Sequence, residues 1–371
     1  MPEERRPKLS DAGGGEDRLS ALHDDALIQI LLKLRCLATA AWTSVLCRRW
    51  RHLWALLPKL HFYNATDPRR IRSALAAHEA PTLQELVVVQ QDASFGPTGA
   101  WLPIAACRLS GLLFCHYLST EGFLRLTLPP SGVFARLSLL HLFQLRLHDD
   151  YDQNSVKLGE MAHLQRLDVQ QFIVYGKDYI IASHNRNCAL LLRRFERLHS
   201  LVITLHCPPD IANKKYLMED ITRVPDVKLL GLGITACGHS FGASLFHVLR
   251  MCTAIRRLNL GLIVAPEHEA ETVCPSGCIC DQPPSWKTRE LVLNCLEEVE
   301  IFDLKGSEHE ISVVNRLFSW APVLKRMTVN FHYSVTENKA EELCQVLLTF
   351  SRPEICMICR MPNMSEKVLH A

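Results

Sequence analysis

The sequence lacks an excess of charge of either sign. Its 371 residues contain 41 Lys and Arg against 39 Asp and Glu, so the formal net charge is +2. Proteins that bind nucleic acid usually carry a basic patch that neutralises phosphates, and anionic membrane surfaces attract similar clusters. The near-neutral balance gives no such signal. We therefore expect neither nucleic acid nor a membrane as a partner.

Long apolar runs are also missing. Hydrophobic residues make up 48% of the chain, which allows a large core, but no run approaches the length of a spanning helix or a secretory signal. The 15 cysteines are expected to be reduced thiols in the nucleus or cytoplasm, because disulfides persist mainly in oxidising compartments. Residues 1–16, charged and glycine-rich, are expected to form a disordered tail.

Familiar catalytic motifs are absent as well. The sequence contains no G-x-S-x-G, no phosphate-binding loop and no H-E-x-x-H. His206 and Asp210 match the short H-x-x-x-D pattern of some acyltransferases, a pattern that arises easily by chance in a chain with 17 histidines. We expect the chain not to be an enzyme and to need no cofactor.

Helical periodicity is present near the N-terminus. Leu27, Ile30, Leu31 and Leu34 recur at helical spacing, and Asp24 or its neighbour can cap the helix start. Two more helical runs follow, LATAAWTSVL and CRRWRHLW. Three short helices bury too little apolar surface to be stable alone. Their excess apolar side chains must pack on the following domain, on a partner, or on both.

The stretch LSALHDDALIQILLKLRCLATAAWTSVLCRRWRHLWALLPKL resembles an F-box in order, spacing and residue type. The resemblance implies docking onto a Skp-family adaptor and, through it, onto the cullin and RING subunits of a ubiquitin ligase. The positions that would line or support the adaptor-facing surface are Leu22, His23, Leu27, Ile30, Leu31, Leu34, Val45 and Trp50. The alternative is a helical cap on the next domain, with no partner.

His23 occupies the place where the family has proline. Proline would fix φ near −65° and hold the loop in its docking shape. Losing that rigidity costs about 0.4–1 kcal/mol, and an unpaired imidazole against an apolar groove costs about 1–3 kcal/mol more. We expect docking to be weakened about 3-fold to several hundred-fold, not abolished.

Beyond residue 80, a unit of the form apolar-x-x-apolar-x-apolar recurs nine times. The units begin at Leu83, Leu109, Leu137, Leu164, Leu198, Val227, Ile255, Leu296 and Leu324. Their spacing, 26 to 41 residues by subtraction of these positions, lies at the long end of the leucine-rich-repeat range. The expected fold class is α/β: a short N-terminal three-helix F-box followed by an irregular leucine-rich-repeat solenoid.

Stacked units of this kind form a parallel sheet, and alternate strand positions face its concave side. The candidate substrate-binding residues there are Arg166, Asp168, Arg257, Asn259 and Arg326. They form no stripe of one sign, which favours a protein target over a phosphate backbone. The Asn or Cys that usually closes each repeat is absent, so the turns must be satisfied in other ways.

The C-terminal sequence CLEEVEIFDLKGSEHEISVVNRLFSWAPVLKRMTVNF resembles the FBD segment of many plant F-box proteins. Ser307 and Glu310 predict a capping box before a helix. A last helix is predicted from about Glu337 to Phe350, capping the open end of the repeats. Its inward residues are expected to be Leu343, Val346, Leu347 and Phe350.

Two cysteine patterns could hold a metal. Cys274, Cys278 and Cys280 could bind zinc with His268 as a candidate fourth ligand, but the spacing lacks the usual C-x2-C hook. A metal-free, reduced surface loop is therefore favoured. Cys356 and Cys359 alternate with apolar residues, which predicts a buried strand.

The expected domain order is a tail at 1–16, F-box-like helices at 17–60 and a linker or capping unit at 61–82. Irregular repeats at 83–290, with a cysteine-containing loop near 265–290, precede FBD-like terminal repeats and a cap at 291–360 and a tail at 361–371. The sequence predicts a substrate-recognition subunit of a Skp-cullin-F-box ubiquitin ligase, with an unknown protein substrate. The alternative is a non-ligase interaction scaffold whose F-box no longer docks.

Overall fold

The computed structural model describes most of the chain. The described residues are 21–34, 49–63, 67–90, 101–117, 124–126, 134–143, 145–147, 163–177, 179–193, 195–263, 274, 277–281, 285–361 and 367–369. They form a mixed α/β fold built on one large, mostly parallel sheet. No helix among them combines the length and the apolar character needed to cross a membrane.

The large sheet has twelve strands in chain order, without closing into a barrel in the described part of the chain. Its strands are β1 (Lys59–Phe62), β2 (Leu83–Gln90), β3 (Leu109–Tyr117), β5 (Leu139–Phe143), β7 (Arg166–Ile173), β9 (Arg197–His206), β11 (Asp226–Thr235), β12 (Arg257–Leu262), β13 (Glu298–Leu304), β14 (Arg326–Phe331), β15 (Cys356–Arg360) and β16 (Lys367–Leu369). Two small pairs lie beside it: β4 (Leu124–Leu126) with β6 (Leu145–Leu147), and β8 (Tyr175–Gly176) with β10 (Lys215–Tyr216). Neighbours in the large sheet are parallel except for β15 and β16.

Helices and short 3-10 turns connect many of these strands. The helices are α1 (Asp24–Lys33), α2 (Trp50–Leu53), α3 (Pro68–Ala77), α4 (Leu102–Arg108), α5 (Tyr179–Arg193), α6 (Gly242–Leu249), α7 (Ser285–Thr288), α8 (Glu308–Trp320) and α9 (Glu337–Phe350). Parallel strands need such crossover connections because a tight hairpin can join only antiparallel strands. The predicted helix over LATAAWTSVL lies outside the described residues.

Each of the nine sequence units supplies one strand of the sheet, in order. Eight units bury the apolar residues that the spacing predicts, as Leu258 and Leu260 of β12 illustrate. The second unit is out of phase by one residue: Leu113 and Cys115 are buried in place of Leu112 and Phe114. An extra residue at the start of β3 shifts its register against β2 and turns the following side chains to the other face.

The C-terminal predictions hold with one exception. Ser307 and Glu310 form the capping box at α8, and α9 has the predicted bounds. Val346 is 41% exposed, so its assignment to the core was wrong. Leu343 and Leu347 are buried together with Ala340 and Cys344, and Phe350 is half-buried against the core. The buried strand predicted around Cys359 is β15.

The N-terminal helices share a core with the sheet. Leu27 of α1, Trp50 and Leu53 belong to the same continuous apolar cluster as the strand residues. The backbone amides of Glu79 and Ala80 donate to the carbonyl of Ala55, at 2.8 and 3.1 Å. β1 and α3 form the first strand–helix unit of the sheet, directly after these helices.

Candidate interaction surfaces and the cysteine cluster

The outer side of α1 carries an exposed apolar stripe. Ile30 and Leu34, one turn apart on the helix, are 39% and 38% exposed. His23 precedes Ile30 by about two turns and therefore lies close to the same face; it is exposed, and Leu22 is half-buried. Exposed aliphatic residues at this spacing can insert into the groove of a partner.

The inner side of α1 holds the other predicted docking residues. Leu27 is fully buried, and Leu31 and Trp50 are nearly so. These three side chains therefore pack within the chain and can only support the surface from behind. Val45 lies outside the described residues. The predicted set thus divides into residues that face outward and residues that hold α1 in place.

His23 is the N-cap of α1, with φ of −67° and ψ of 155°. Asp24 or Asp25 was predicted as the cap, but both lie in the first helical turn, where the helix dipole favours carboxylates. The φ of His23 is the value that a proline ring would impose. The Asp24 carboxylate also accepts a 2.6 Å hydrogen bond from Arg49 Nε, which ties the start of α1 to α2.

The strands present two rows of side chains on one face, which we call the open face. The pairing register aligns Arg166 with Ser200, and further along Arg257 with Glu298 and Arg326. The neighbouring row runs through His141, Asp168, Val202, Gly231, Asn259, Glu300 and Thr328. All five predicted substrate-binding residues therefore lie on this face.

Opposite charges pair along the open face. Glu298 forms ion pairs with both Arg257 and Arg326. Asp168 accepts from Arg166 Nε at 2.8 Å and pairs with His141 at 3.1 Å. Burial alone would raise the pKa of Asp168, but the hydrogen bonds from His141 and Arg166 outweigh it and lower the pKa. Such paired charges orient a partner more than they attract it from a distance.

Three glycines interrupt the side chains near the middle of the open face. Gly231 of β11 pairs with Asn259 of β12, and Gly233 pairs with Gly261. The side chains of Val202, Thr204 and Ile263 fill the space over Gly231 and Gly233, so the gap in the side chains, which we call the glycine trough, lies over Gly261. Two large apolar side chains border it: Ile263, whose Cδ1 lies over Gly233, and Phe302, which pairs with Gly261. Both are well exposed, at 46% and 37%.

Asn259, one of the predicted substrate residues, also borders the glycine trough. Its side-chain oxygen is buried and accepts no hydrogen bond from the described residues. A donor on a target can reach this oxygen only when the Asn259 side chain rotates toward the open face.

The cysteines of the segment between β12 and β13 lie near the end of β11. Cys274, Cys278 and Cys280 approach His239, which follows β11 in the chain. Cys280 is fully buried, so the predicted surface loop is wrong for this residue. His268, the fourth ligand considered from the sequence, lies outside the described residues. His239 was missed because it precedes Cys274 by 35 residues and matches no metal-binding spacing.

Relatives with known names support the resemblance seen in the sequence. An F-box/FBD/LRR-repeat protein of Arabidopsis thaliana is 31% identical over 204 residues, 52% of this chain and 47% of the relative. A second one is 26% identical over 310 residues, 72% of this chain and 69% of the relative. This chain is a relative of the plant F-box/FBD/LRR-repeat proteins.

A putative F-box/LRR-repeat protein of the same plant is 40% identical over 166 residues, 41% of this chain and 36% of the relative. No family model matches the chain. The chain spans about half the length of the relative that is 31% identical to it. The predicted resemblance to this plant class is confirmed.

Proposed function

We propose that the chain is a substrate-recognition subunit of a Skp-cullin-F-box ubiquitin ligase. The exposed pair Ile30 and Leu34 on α1 carries the proposal, because it is an apolar helix face directed away from the chain's own core. The names of the relatives, all F-box proteins, support the same assignment. The residues from 17 to 60 are then a three-helix F-box, and Ile30, Leu34, Leu22 and His23 face the Skp-family adaptor.

In this proposal, the sheet from 83 to 290 is an irregular leucine-rich-repeat solenoid, and residues 291–360 are its FBD-like end. The open face is the concave surface, and the glycine trough receives an apolar segment of a protein target. Asn259 contributes its unpaired oxygen, and the paired arginines Arg166, Arg257 and Arg326 fix the orientation of the target. The target is defined here by chemistry: a protein surface with an apolar side chain next to a hydrogen-bond donor.

The mechanism is positioning. Holding a target and the ubiquitin-loaded enzyme on one scaffold replaces a collision in solution by a tethered encounter with a high effective concentration. The chain itself needs no acid, base or nucleophile for this task. The arrangement requires only that α1 and the open face keep a fixed relation, which their common core provides.

The decisive experiment measures the affinity of the purified chain for a Skp-family adaptor, beside a His23→Pro variant. Because His23 already has a proline-like φ, the substitution requires no change in the backbone at this residue. We expect the parent to bind in the micromolar range or tighter, and the proline variant to bind at least about 2- to 5-fold tighter.

Two aspartate substitutions provide the matched control. Ile30→Asp places a charge on the proposed docking face and should abolish binding. Val346→Asp makes the same kind of change on α9, at a similar exposure of 41%, and should bind like the parent. Equal binding by both variants would contradict docking through α1.

One observation favours a second function, a protein-interaction scaffold that does not join a ligase. An imidazole at position 23 must lose water when α1 enters an apolar groove, and that loss weakens docking. If neither the parent nor His23→Pro binds the adaptor while both are folded, the scaffold function is supported. The N-terminal helices are then a cap on the sheet.

A further inference from the structure

Four potential metal ligands converge at the end of β11. We call them the Cys3His cluster: His239, Cys274, Cys278 and Cys280. All four ligand atoms lie within 4.8 Å of one another. His239 Nδ1 is 3.3 Å from Cys274 Sγ and 3.5 Å from Cys278 Sγ, and the Sγ atoms of Cys274 and Cys280 are 3.3 Å apart.

These separations match the edges of a tetrahedral zinc site. With Zn–S bonds of about 2.3 Å and a Zn–N bond of about 2.0–2.1 Å, the edges of a regular tetrahedron are about 3.6–3.8 Å. The three separations given above are about 0.1–0.5 Å shorter than these edges, and all other pairs of ligand atoms lie within 4.8 Å, so a cation at the centre requires small shifts of the ligand side chains. Three cysteines and one histidine are an established donor set for structural zinc.

The hydrogen bonds around the cluster orient its ligands. His239 is 7% exposed, and its Nε2 lies 3.0 Å from the carbonyl oxygen of Pro209. Because a carbonyl can only accept, Nε2 carries the proton and Nδ1 directs its lone pair at the thiols. The backbone N–H of Ser240 donates to Cys280 Sγ at 3.4 Å. Such outer contacts fix the tautomer of a ligating histidine and stabilise a thiolate.

The backbone brings the two halves of the cluster together in a specific way. His239 follows two residues with positive φ, Cys237 at 46° and Gly238 at 81°, which turn the chain sharply after β11. On the other side, Gly277 also has a positive φ, 81°, next to Cys278. The segment is anchored further along by Trp286 of α7, which is 1% exposed.

Trp286 packs directly on Gly242 at the start of α6. A Cβ atom at Gly242 would lie 2.3 Å from the indole ring, so only glycine allows this approach. The indole thus fixes the segment between β12 and β13 at Trp286, and the cysteines of the Cys3His cluster precede this anchor in the chain.

We propose that the Cys3His cluster binds one Zn²⁺ ion, which fastens the segment between β12 and β13 to the turn after β11. The role of the ion is structural, since all four coordination positions are filled by protein atoms. The site is independent of the adaptor and of any target, and it does not rest on the proposed ligase function.

Binding of the ion replaces thiol protons. Each cysteine thiol loses its proton to solvent as its S–Zn bond forms, and His239 binds through its neutral Nδ1. Zinc affinity is therefore expected to fall as the pH is lowered.

A disulfide between Cys274 and Cys280 is the competing arrangement for two of these thiols. It would leave His239 Nδ1 and Cys278 without a common function. It would also require an oxidant, whereas zinc binding requires only the exchange of protons for the ion. The simultaneous approach of four ligand atoms favours the metal.

The test is the zinc content of the full-length chain, measured by elemental analysis after purification with reductant and dialysis against trace zinc. We expect about one zinc per chain for the parent. His239→Ala and Cys280→Ser should lose the metal, whereas Cys295→Ser, which changes an exposed cysteine elsewhere, should retain it. Cobalt substitution should give the absorption of tetrahedral, thiolate-ligated Co²⁺ in the parent and in Cys295→Ser, but not in His239→Ala or Cys280→Ser.

A second variant separates metal binding from folding. His239→Cys supplies a fourth thiolate, and the longer Zn–S bond compensates for the shorter side chain, so this variant should regain the zinc that His239→Ala loses. A chelator should lower the apparent Tm of the parent and of His239→Cys, but not that of folded His239→Ala. A parent without stoichiometric zinc, a Cys274–Cys280 disulfide in the reduced preparation, or equal zinc in all variants would each overturn the proposal.

Discussion

At the scale of single residues, Gly111 shows how little room separates two strands. It lies at the start of β3, and a Cβ atom there would be 2.2 Å from the carbonyl oxygen of Gln84 in β2. That distance cannot be tolerated without moving the backbone of one strand. We expect Gly111→Ala to lower the free energy of unfolding by about 1–3 kcal/mol, measured as a lower midpoint in urea.

Gly261 provides the matched control, since it is also a strand glycine of the same sheet. A Cβ atom there would meet only the carbonyl oxygen of Leu232, at 4.0 Å. Gly261→Ala should therefore change the free energy of unfolding by no more than about 0.5 kcal/mol. Equal effects of the two substitutions would mean that the close approach at Gly111 does not exist in solution.

At the scale of elements, His78 joins the N-terminal helices to the sheet. The buried imidazole donates from Nε2 to the backbone carbonyl of Leu57 at 2.8 Å. The backbone carbonyl of His78 accepts from Arg108 Nη1 at 2.6 Å. Burial lowers the pKa of His78; the hydrogen bond to Leu57 opposes this, and the charge of Arg108 adds to it. Neutral imidazole is therefore the form that the fold prefers.

This preference predicts a pH dependence of stability. A histidine whose pKa is lower in the folded state contributes its stabilisation above the unfolded pKa, about 6.5, and loses it as the pH falls through the folded value. We expect the urea midpoint of the parent to fall between about pH 7.5 and about pH 5.5, and to fall less in His78→Gln. His199→Gln, at an exposed position, should show the same pH dependence of the urea midpoint as the parent. A midpoint that falls as steeply with pH in His78→Gln as in the parent would contradict the assignment to His78.

Several elements could be predicted from the sequence because their signals are local. The leucine spacing located the strands, and the capping box of Ser307 located α8. The phase of β3 could not be predicted, since the extra residue at Gly111 matters only when β2 lies beside it. The sequence also could not show what replaces the asparagine that usually closes each repeat. In the structure, backbone hydrogen bonds between neighbouring strand ends do so, such as that from the Cys207 amide to the Thr235 carbonyl at 2.8 Å.

The candidate sites were predictable to different degrees. The rows of the open face follow directly from strand alternation, so their residues could be named in advance. On α1, however, the apolar residues nearly surround the helix. The spacing could not tell that Leu31 faces the core and Ile30 faces outward. His239 depends on a turn of positive-φ residues, which no spacing rule describes.

At the scale of the whole molecule, the N-terminal helices are part of one core. Leu27 is fully buried in the cluster that extends along the sheet. Leu27→Ala should therefore destabilise the sheet as well as α1, by about 2–5 kcal/mol, and should increase hydrogen exchange in β1 and β2. Ile30→Asp should leave that exchange unchanged. Faster exchange confined to α1 and α2 would show that the helices form a separate unit.

The common core also fixes the distance along the sheet from its first strand to its last. Twelve strands spaced about 4.8 Å apart give a path of about 50 Å from the first strand to the last. Under the proposed function, a target bound at a given strand is held at a constant distance from the adaptor. The sheet then acts as a ruler, and the lysines of a target are selected by their reach to the ubiquitin-loaded enzyme as much as by the sequence around them.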